Sequence, residues 1–265
     1  MFVDSHCHID GVEYDEDRAA VVERAYAAGV SAMLNVGTGD PHGGALERAV
    51  VLAETYDNIY AAVGTHPHDA RLFDDAAEQR LNHLIASSPK VIAWGEIGLD
   101  YHYDNSPREQ QCEVFRRQLR QARAAGMPVI IHTREAEDDT REILRSEWSQ
   151  PNHGGIMHCF GCSLELAEFC LELGFLISFA GNVTFKKAEP LRAVAAAIPG
   201  DRLLIETDCP YLTPIPFRGQ RNEPARVVET ARCLAELRGM PLAEFAQLTT
   251  ANFNRLFKPK IGEGL

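Results

Sequence analysis

Nowhere does this chain approach the ~20 consecutive apolar residues that a bilayer-spanning helix needs, so a membrane protein built on such a helix is excluded. Positive charge is also scarce. Lys and Arg total 26 against 38 Asp and Glu, a formal net charge of −12. No broad basic face can coat this surface with a polyanion, and any contact with nucleic acid must be local. The seven cysteines, at positions 7, 112, 159, 162, 170, 209 and 233, are odd in number and scattered, unlike a disulfide scaffold. Cys159 and Cys162 spell C-x-x-C, but no second such pair follows to complete a zinc ribbon, and burial is their default reading. The opening residues MFVDSHCHID lack the basic and apolar regions of a signal peptide. Together these absences lead to the expectation of a cytoplasmic protein. There is no internal repeat, low-complexity tract or interdomain linker, and the proline-rich segment 210–216 is short.

What is present reads as a well-stocked globular chain: 45% hydrophobic and 24% charged. At ~150 residues per domain, its 265 residues permit two domains or one large barrel. Eight short β-rich runs decide between them. They lie at 2–6, 32–36, 59–64, 91–96, 129–132, 155–158, 175–179 and 203–208, about 29 residues apart on average, the size of a βα unit. Amphipathic stretches separate them, at 15–28, 44–56, 74–86, 136–147, 164–173 and 189–197, with two more helices after Glu223. Ser106-Pro107-Arg108-Glu109 reads as a capping box opening another helix, with Cys112, Phe115, Leu119 and Ala122 on its apolar stripe and Gly126 and Pro128 stopping it. Continuous apolar strands alternating with helices predict an α/β fold, a single (β/α)8 TIM barrel over residues 1–265, in preference to a doubly wound sheet.

In a parallel barrel the chemistry sits at the carboxyl ends of the strands, so side chains ending these runs converge whatever their separation in sequence. The first run supplies His6 and His8, the fourth Glu96, the fifth His132, the sixth His158 and the eighth Asp208. A solitary histidine after a strand is ordinarily a packed or hydrogen-bonded residue. Six such ends in one array make a different case: neutral imidazoles and carboxylates suit a borderline divalent cation, and six can hold two ions if one carboxylate bridges. A two-metal hydrolase is the expected class.

The strings DSHCHID, GTHPH, GEIGLDYH, PVIIHTREA, MHCFGC, ETDCPYLTP and RGQRNEP, in this order across nearly the whole chain, resemble the TatD-type metal-dependent deoxyribonucleases of the amidohydrolase superfamily. The resemblance implies His6 and His8 with Asp208 on one metal, His132 and His158 on the other, and Glu96 bridging them in place of a carbamylated lysine. It also implies a TIM barrel, two divalent ions (Zn, Mn or Mg), and hydrolysis of DNA phosphodiesters, commonly from the 3′ end. The expected partner is therefore DNA, single-stranded or at 3′ ends, with no membrane and no obligate protein partner. Two positions depart from the pattern: Cys209 stands where alanine is common, and Gln220 where RGxRNEP often has lysine, removing a cation near the expected substrate entrance.

Other residues carry two readings each. His66 is either a turn histidine fixed by Pro67 or, as the resemblance favours, a substrate contact. Arg134 can hold a phosphate or pair with Glu135 or Glu137. Asn182, Lys186, Arg218 and Arg221 follow the seventh and eighth strands, where barrels often bind phosphate; singly they read as solvated groups, together as a cationic rim. Glu206 can orient a ligand or pair with a base, and Asp100 and Tyr101 can brace the Glu96 loop. Asp208 is the candidate to accept a proton from the attacking water. The rival expectations are an ester hydrolase, such as a D-aminoacyl-tRNA deacylase, and a binding protein that has lost turnover.

Overall fold

The computed structural model describes residues 1–149 and 153–261, and in it the chain alternates strand and helix from end to end. The strands are β1 (Phe2–Cys7), β2 (Val30–Gly37), β3 (Ile59–Val63), β4 (Val91–Asp100), β5 (Val129–Arg134), β6 (Gly155–Met157), β7 (Phe175–Phe179) and β8 (Leu203–Ile205). The helices are α1 (Arg18–Ala27), α2 (Ala45–Thr55), α3 (Asp75–Ser87), α4 (Arg108–Ala124), α5 (Glu137–Glu147), α6 (Leu164–Glu172), α7 (Glu189–Ala197), α8 (Val227–Leu237) and α9 (Leu242–Ile261). All neighbouring strands pair in parallel and in chain order from β1 to β8. This is the (β/α)8 TIM barrel that the sequence predicts. The last edge closes without a regular ladder. Ser5 Oγ donates to the Ile205 carbonyl (3.0 Å), the Asp208 N–H donates to the His6 carbonyl (3.0 Å), and the His8 N–H donates to the Cys209 carbonyl (3.0 Å).

Two apolar layers follow from the strand period of two. Val129, Ile131, Met157, Ile177 and Leu203 face outward and pack under the helices. Val3, Leu34, Ile92, Ile130, Ile156 and Leu204 form the inner layer, where Phe253 and Phe257 of α9 join them. The same parity carries inward positions from apolar to polar along each strand: Ile130 leads to His132, Ile156 to His158, and Leu204 to Glu206 and Asp208. The interior thus changes along the barrel axis from a packed plug to a chemical mouth.

Several predicted boundaries move, for physical reasons. β4 runs on to Asp100 because Ile97–Asp100 resumes pairing with Ile131–Arg134 after an irregularity at Gly95 and Glu96. β8 stops at Ile205 instead of reaching Asp208, where the backbone turns to φ +53°. The capping box at Ser106 does not form. Ser106 Oγ instead accepts from the Arg71 N–H (3.1 Å) and donates to the His68 carbonyl (2.7 Å), tying the β4–α4 loop to the turn after β3. A tertiary pair of partners replaces the local cap, and α4 starts without a side-chain cap.

Candidate metal centre

Two β-bulges aim the first ligands. Between Asp4↔Met33 and Cys7↔Asn35 three steps of β1 oppose two of β2, and between Trp94↔Val129 and Ile97↔Ile131 three steps of β4 oppose two of β5. Bulges of this kind bend a strand and redirect a side chain, here His6 and Glu96. The close approach at β4 needs glycine. A Cβ on Gly98, at φ +141°, would lie 1.9 Å from the His132 carbonyl oxygen, and one on Gly95 would lie 2.6 Å from Ile130 Cβ. Two buried amides of α4 hold the loops above. Gln118 brackets Thr65, accepting from its N–H (2.8 Å) and donating to its carbonyl (2.9 Å), while Gln111 does the same for Asp100 at 2.8 and 3.1 Å. Sequence reasoning placed neither glutamine near the site; a polar residue on an otherwise apolar helix face was the available signal.

All six strand-end residues meet at the mouth. His6 Nε2 lies 3.1 Å from His8 Nε2 and 3.4 Å from Glu96 Oε2. Asp208 Oδ1 lies 3.5 Å from His8 Nε2 and 3.9 Å from His6 Nε2. The other carboxylate oxygen of the same glutamate, Glu96 Oε1, lies 2.9 Å from His132 Nδ1, 3.0 Å from His158 Nε2 and 3.5 Å from His66 Nε2. The two oxygens of Glu96 therefore face two halves of one pocket. The donor groups able to hold an ion are His6, His8 and Asp208 on one side, and Glu96 with His6 and His158 or with His66 and His132 on the other.

The nitrogens turned away from the pocket decide which lone pairs point in. His8 Nδ1 donates to the Val36 carbonyl (2.7 Å), His158 Nδ1 to Glu206 Oε1 (2.9 Å), and His132 Nε2 to Asp100 Oδ2 (3.1 Å). In the neutral rings each leaves its inner nitrogen as an acceptor, the arrangement in which a carbonyl or carboxylate fixes the tautomer of a metal-ligating imidazole. His8 Nε2, His6 Nε2 and Asp208 Oδ1 thus converge on one point, and His6 Nδ1 is buried with no hydrogen-bond partner among the described residues, so a cation between them would take lone pairs from all three. Their spacing suits one, since two nitrogens bonded at ~2.1 Å with near-tetrahedral angles stand roughly 3–3.4 Å apart. The residues fit a divalent metal. His66 is different. Its Nδ1 accepts from the His68 N–H (3.2 Å), so the neutral ring carries its proton on Nε2 and presents a donor to the pocket.

Protonation equilibria express the same field. Burial opposes a charge on Glu96, but the charge of His158 and hydrogen bonds from His132 and His158 overcome it and leave the carboxyl well below its usual range. Burial likewise opposes Asp208, and His8, with the charges of His158 and His6, brings its pKa below the ordinary value. Burial lowers His66 to about 4, so that ring is neutral. Burial would lower His8 too, but the hydrogen bond and charge of Asp208 raise it to about 9, a sign that this spot favours a cation.

The remaining sequence candidates divide. Asp100 and Glu206, read as a brace and an undecided partner, are buried acceptors behind His132 and His158; Asp100 Oδ2 also takes His68 Nε2 at 3.0 Å. Tyr101 faces away, with its hydroxyl donating to Asp139 Oδ2 (2.5 Å). Arg134 makes no ion pair with Glu135 or Glu137 among the described residues. Glu135 takes His102, Glu137 takes Ser163, and the Arg134 guanidinium lies over the Tyr103 ring at 4.8 Å. Arg218 stacks on Phe185 at 3.9 Å, Lys186 is exposed nearby in sequence, and Asn182 Oδ1 is buried with no hydrogen-bond partner among the described residues. Arg221 is already engaged, paired with Asp17 Oδ2 (2.6 Å) and donating at 2.5 Å to the Glu13 carbonyl. Cys159 and Cys162 join no candidate metal group among the described residues, and burial pushes the Cys162 thiol up to about 12.

A (β/α)8 barrel with imidazoles and carboxylates converging at the carboxyl ends of its strands defines a metal-dependent hydrolase. A family model described as TatD related DNase matches residues 3–258, and the chain belongs to that family. It is 46% identical over 260 residues to an uncharacterized metal-dependent hydrolase, YabD, of Bacillus subtilis, covering 97% of this chain and 99% of that one. It is 36% identical over 252 residues to the 3′-5′ ssDNA/RNA exonuclease TatD of Pectobacterium carotovorum, covering 93% and 95%. Among solved structures, YJJV, a TatD homologue from Escherichia coli, superposes with a TM-score of 0.89 at 34% identity, covering 97% and 98%.

Proposed function

We propose that the protein is a two-metal phosphodiesterase that removes nucleotides from the 3′ end of single-stranded DNA. The observation that carries this reading is Glu96, whose two oxygens are divided between His6 on one side and His132, His158 and His66 on the other. That division suits a carboxylate bridging two ions, with His6, His8 and Asp208 on one and His132 and His158 on the other. When bound, such ions polarise a phosphoryl group and lower the pKa of an attacking water. The exonuclease named among the relatives supports nucleic acid as the substrate.

The chain's own groups supply the rest. Asp208, ionised and partly open to the mouth, is placed to take the proton of the attacking water. His66 presents its Nε2–H to a non-bridging phosphate oxygen. Arg134, Arg218 and Lys186 form the local cationic rim, while Asn182 offers a buried carbonyl with no hydrogen-bond partner among the described residues. The test is a panel on one preparation reconstituted in turn with Zn, Mn and Mg: a 5′-labelled single-stranded oligonucleotide, its duplex, a small activated phosphodiester and an aminoacyl ester. Stepwise release of mononucleotides from the single strand is expected. Rapid ester cleavage with both phosphodiesters intact would replace this reading with that of a deacylase.

A further inference from the structure

Among the described residues, four large hydrophobic side chains left exposed, Val12, Tyr103, Tyr211 and Ile215, ride on the loops that follow β1, β4 and β8. These loops form the rim of the metal-binding mouth. The two tyrosines are the largest of the four, 57% and 60% exposed, and neither phenol oxygen has a hydrogen-bond partner among the described residues. β4 and β8 lie four strands apart in an eight-stranded barrel, so their loops rise on opposite sides of the mouth.

Both rings stand on fixed backbone. The Tyr103 N–H donates to Asp100 Oδ1 (2.9 Å), the carboxylate that also backs His132, and the ring packs edge-on against His68 and His102 with centroids 5.4 and 4.9 Å away. Arg134 covers Tyr103 from 4.8 Å. The Tyr211 N–H donates to the Asp208 carbonyl (2.9 Å), and its own carbonyl accepts from Asn222 Nδ2 (2.6 Å). A solvent-facing aromatic ring on a fixed backbone has little to gain from water and much to gain from another flat ring. Base–aromatic stacking is sequence-tolerant because every base has a π-face. A phosphodiester joins two nucleosides, so a phosphate seated over Glu96 sends one base toward each side of the mouth.

We propose that Tyr103 and Tyr211 are stacking platforms that hold the two unpaired bases flanking the scissile phosphate, making the site selective for single strands. This rests on the phosphodiesterase reading above and adds how the strand is gripped. In a duplex both faces of most bases are already stacked, so the platforms compete only for unpaired ends. The Arg134 guanidinium beside Tyr103 supplies a phosphate contact next to one base.

The experiment uses the full-length, metal-loaded protein, the variants Tyr103→Leu, Tyr103→Phe, Tyr211→Leu and Tyr211→Phe, and two readouts. The first compares KM and kcat on a single-stranded oligonucleotide with those on bis-p-nitrophenyl phosphate. The second follows the fluorescence of a 3′-terminal 2-aminopurine in a single strand with hydrolysis-resistant phosphorothioate linkages. Each leucine variant is expected to raise KM for the oligonucleotide roughly tenfold more than for the small diester and to weaken the quench on binding, while phenylalanine restores both. Equal losses on both substrates, or no rescue by phenylalanine, would overturn the stacking role in favour of a structural one acting through Asp100 or Asp208. If neither substrate is hydrolysed but the quench still depends on the rings, the hydrolysis reading fails and the stacking stands. A quench indifferent to both rings, with diester hydrolysis intact, removes the stacking alone.

Discussion

Glu206 shows how much of the site resides in single atoms behind the pocket. Its Oε1 accepts from His158 Nδ1 (2.9 Å) and from the Cys159 N–H (2.8 Å), so Glu206→Ala removes the group that selects the His158 tautomer and leaves two buried donors unpaired. Metal affinity should fall by about 10–100-fold, the usual cost of losing such a partner. Competition against a fluorescent chelator measures it, with circular dichroism confirming the fold; wild-type affinity would remove Glu206 from the site's support. Asp208→Asn keeps the shape but removes charge and basicity. Turnover at saturating metal should drop by roughly 10²-fold or more, as expected for lost acid–base catalysis. Near-wild-type turnover under those conditions would take Asp208 out of the mechanism. The inward residues were legible in the sequence because strand parity and strand ends locate them. Their supports were not: that Asp100 serves His132, or that the His68 N–H fixes the proton of His66, depends on loop geometry and on Gln111 and Gln118 reaching across from α4.

At the scale of elements, eight strands and their helices could be read from periodicity, since runs buried on both faces announce themselves by apolar continuity. What could not be read was where pairing stops and where it slips. The β4 bulge is invisible to periodicity, yet it turns Glu96 into the pocket and lets Ile97–Asp100 run on beside Ile131–Arg134. The Ser106 box failed because a cap is a local contest, and Arg71 and His68 entered it from a distant turn. The bulge makes its own prediction. Gly98→Ala introduces a Cβ where the His132 carbonyl stands, at a positive φ that side chains rarely adopt. The β4–β5 contact must open, so the variant should lose about 1–3 kcal/mol of stability, a typical cost for one strained backbone position. It should bind metal more weakly because His132 moves with its carbonyl. Urea unfolding with metal titration checks both, and a variant as stable and as metal-replete as the wild type would show that the strands approach less closely than this packing requires.

For the molecule as a whole, charge is the constraint. A chain with 38 acidic against 26 basic residues repels a polyanion at a distance and must attract it at one place. At the mouth, two carboxylates of the candidate metal site, Glu96 and Asp208, add to that repulsion unless cations fill the pocket. Removing the metal should therefore weaken strand binding as well as abolish hydrolysis. With metal bound, the cations of the proposed rim are Arg134, Lys186 and Arg218, since Arg221 is held by Asp17 and Glu13. Each neutralised phosphate on a single strand contributes a slope near −0.7 to the dependence of log K on log salt, so three contacts give about −2. Arg134→Ala should flatten the slope by about 0.7, whereas Arg221→Ala should leave it unchanged and instead loosen the segment around Asp17. Fluorescence anisotropy of a labelled single strand across a salt series reads all three proteins directly. A wild-type slope of −4 or steeper would require cations beyond this rim, and flattening by Arg221→Ala as large as by Arg134→Ala would mean that the Asp17 pair opens to bind the strand.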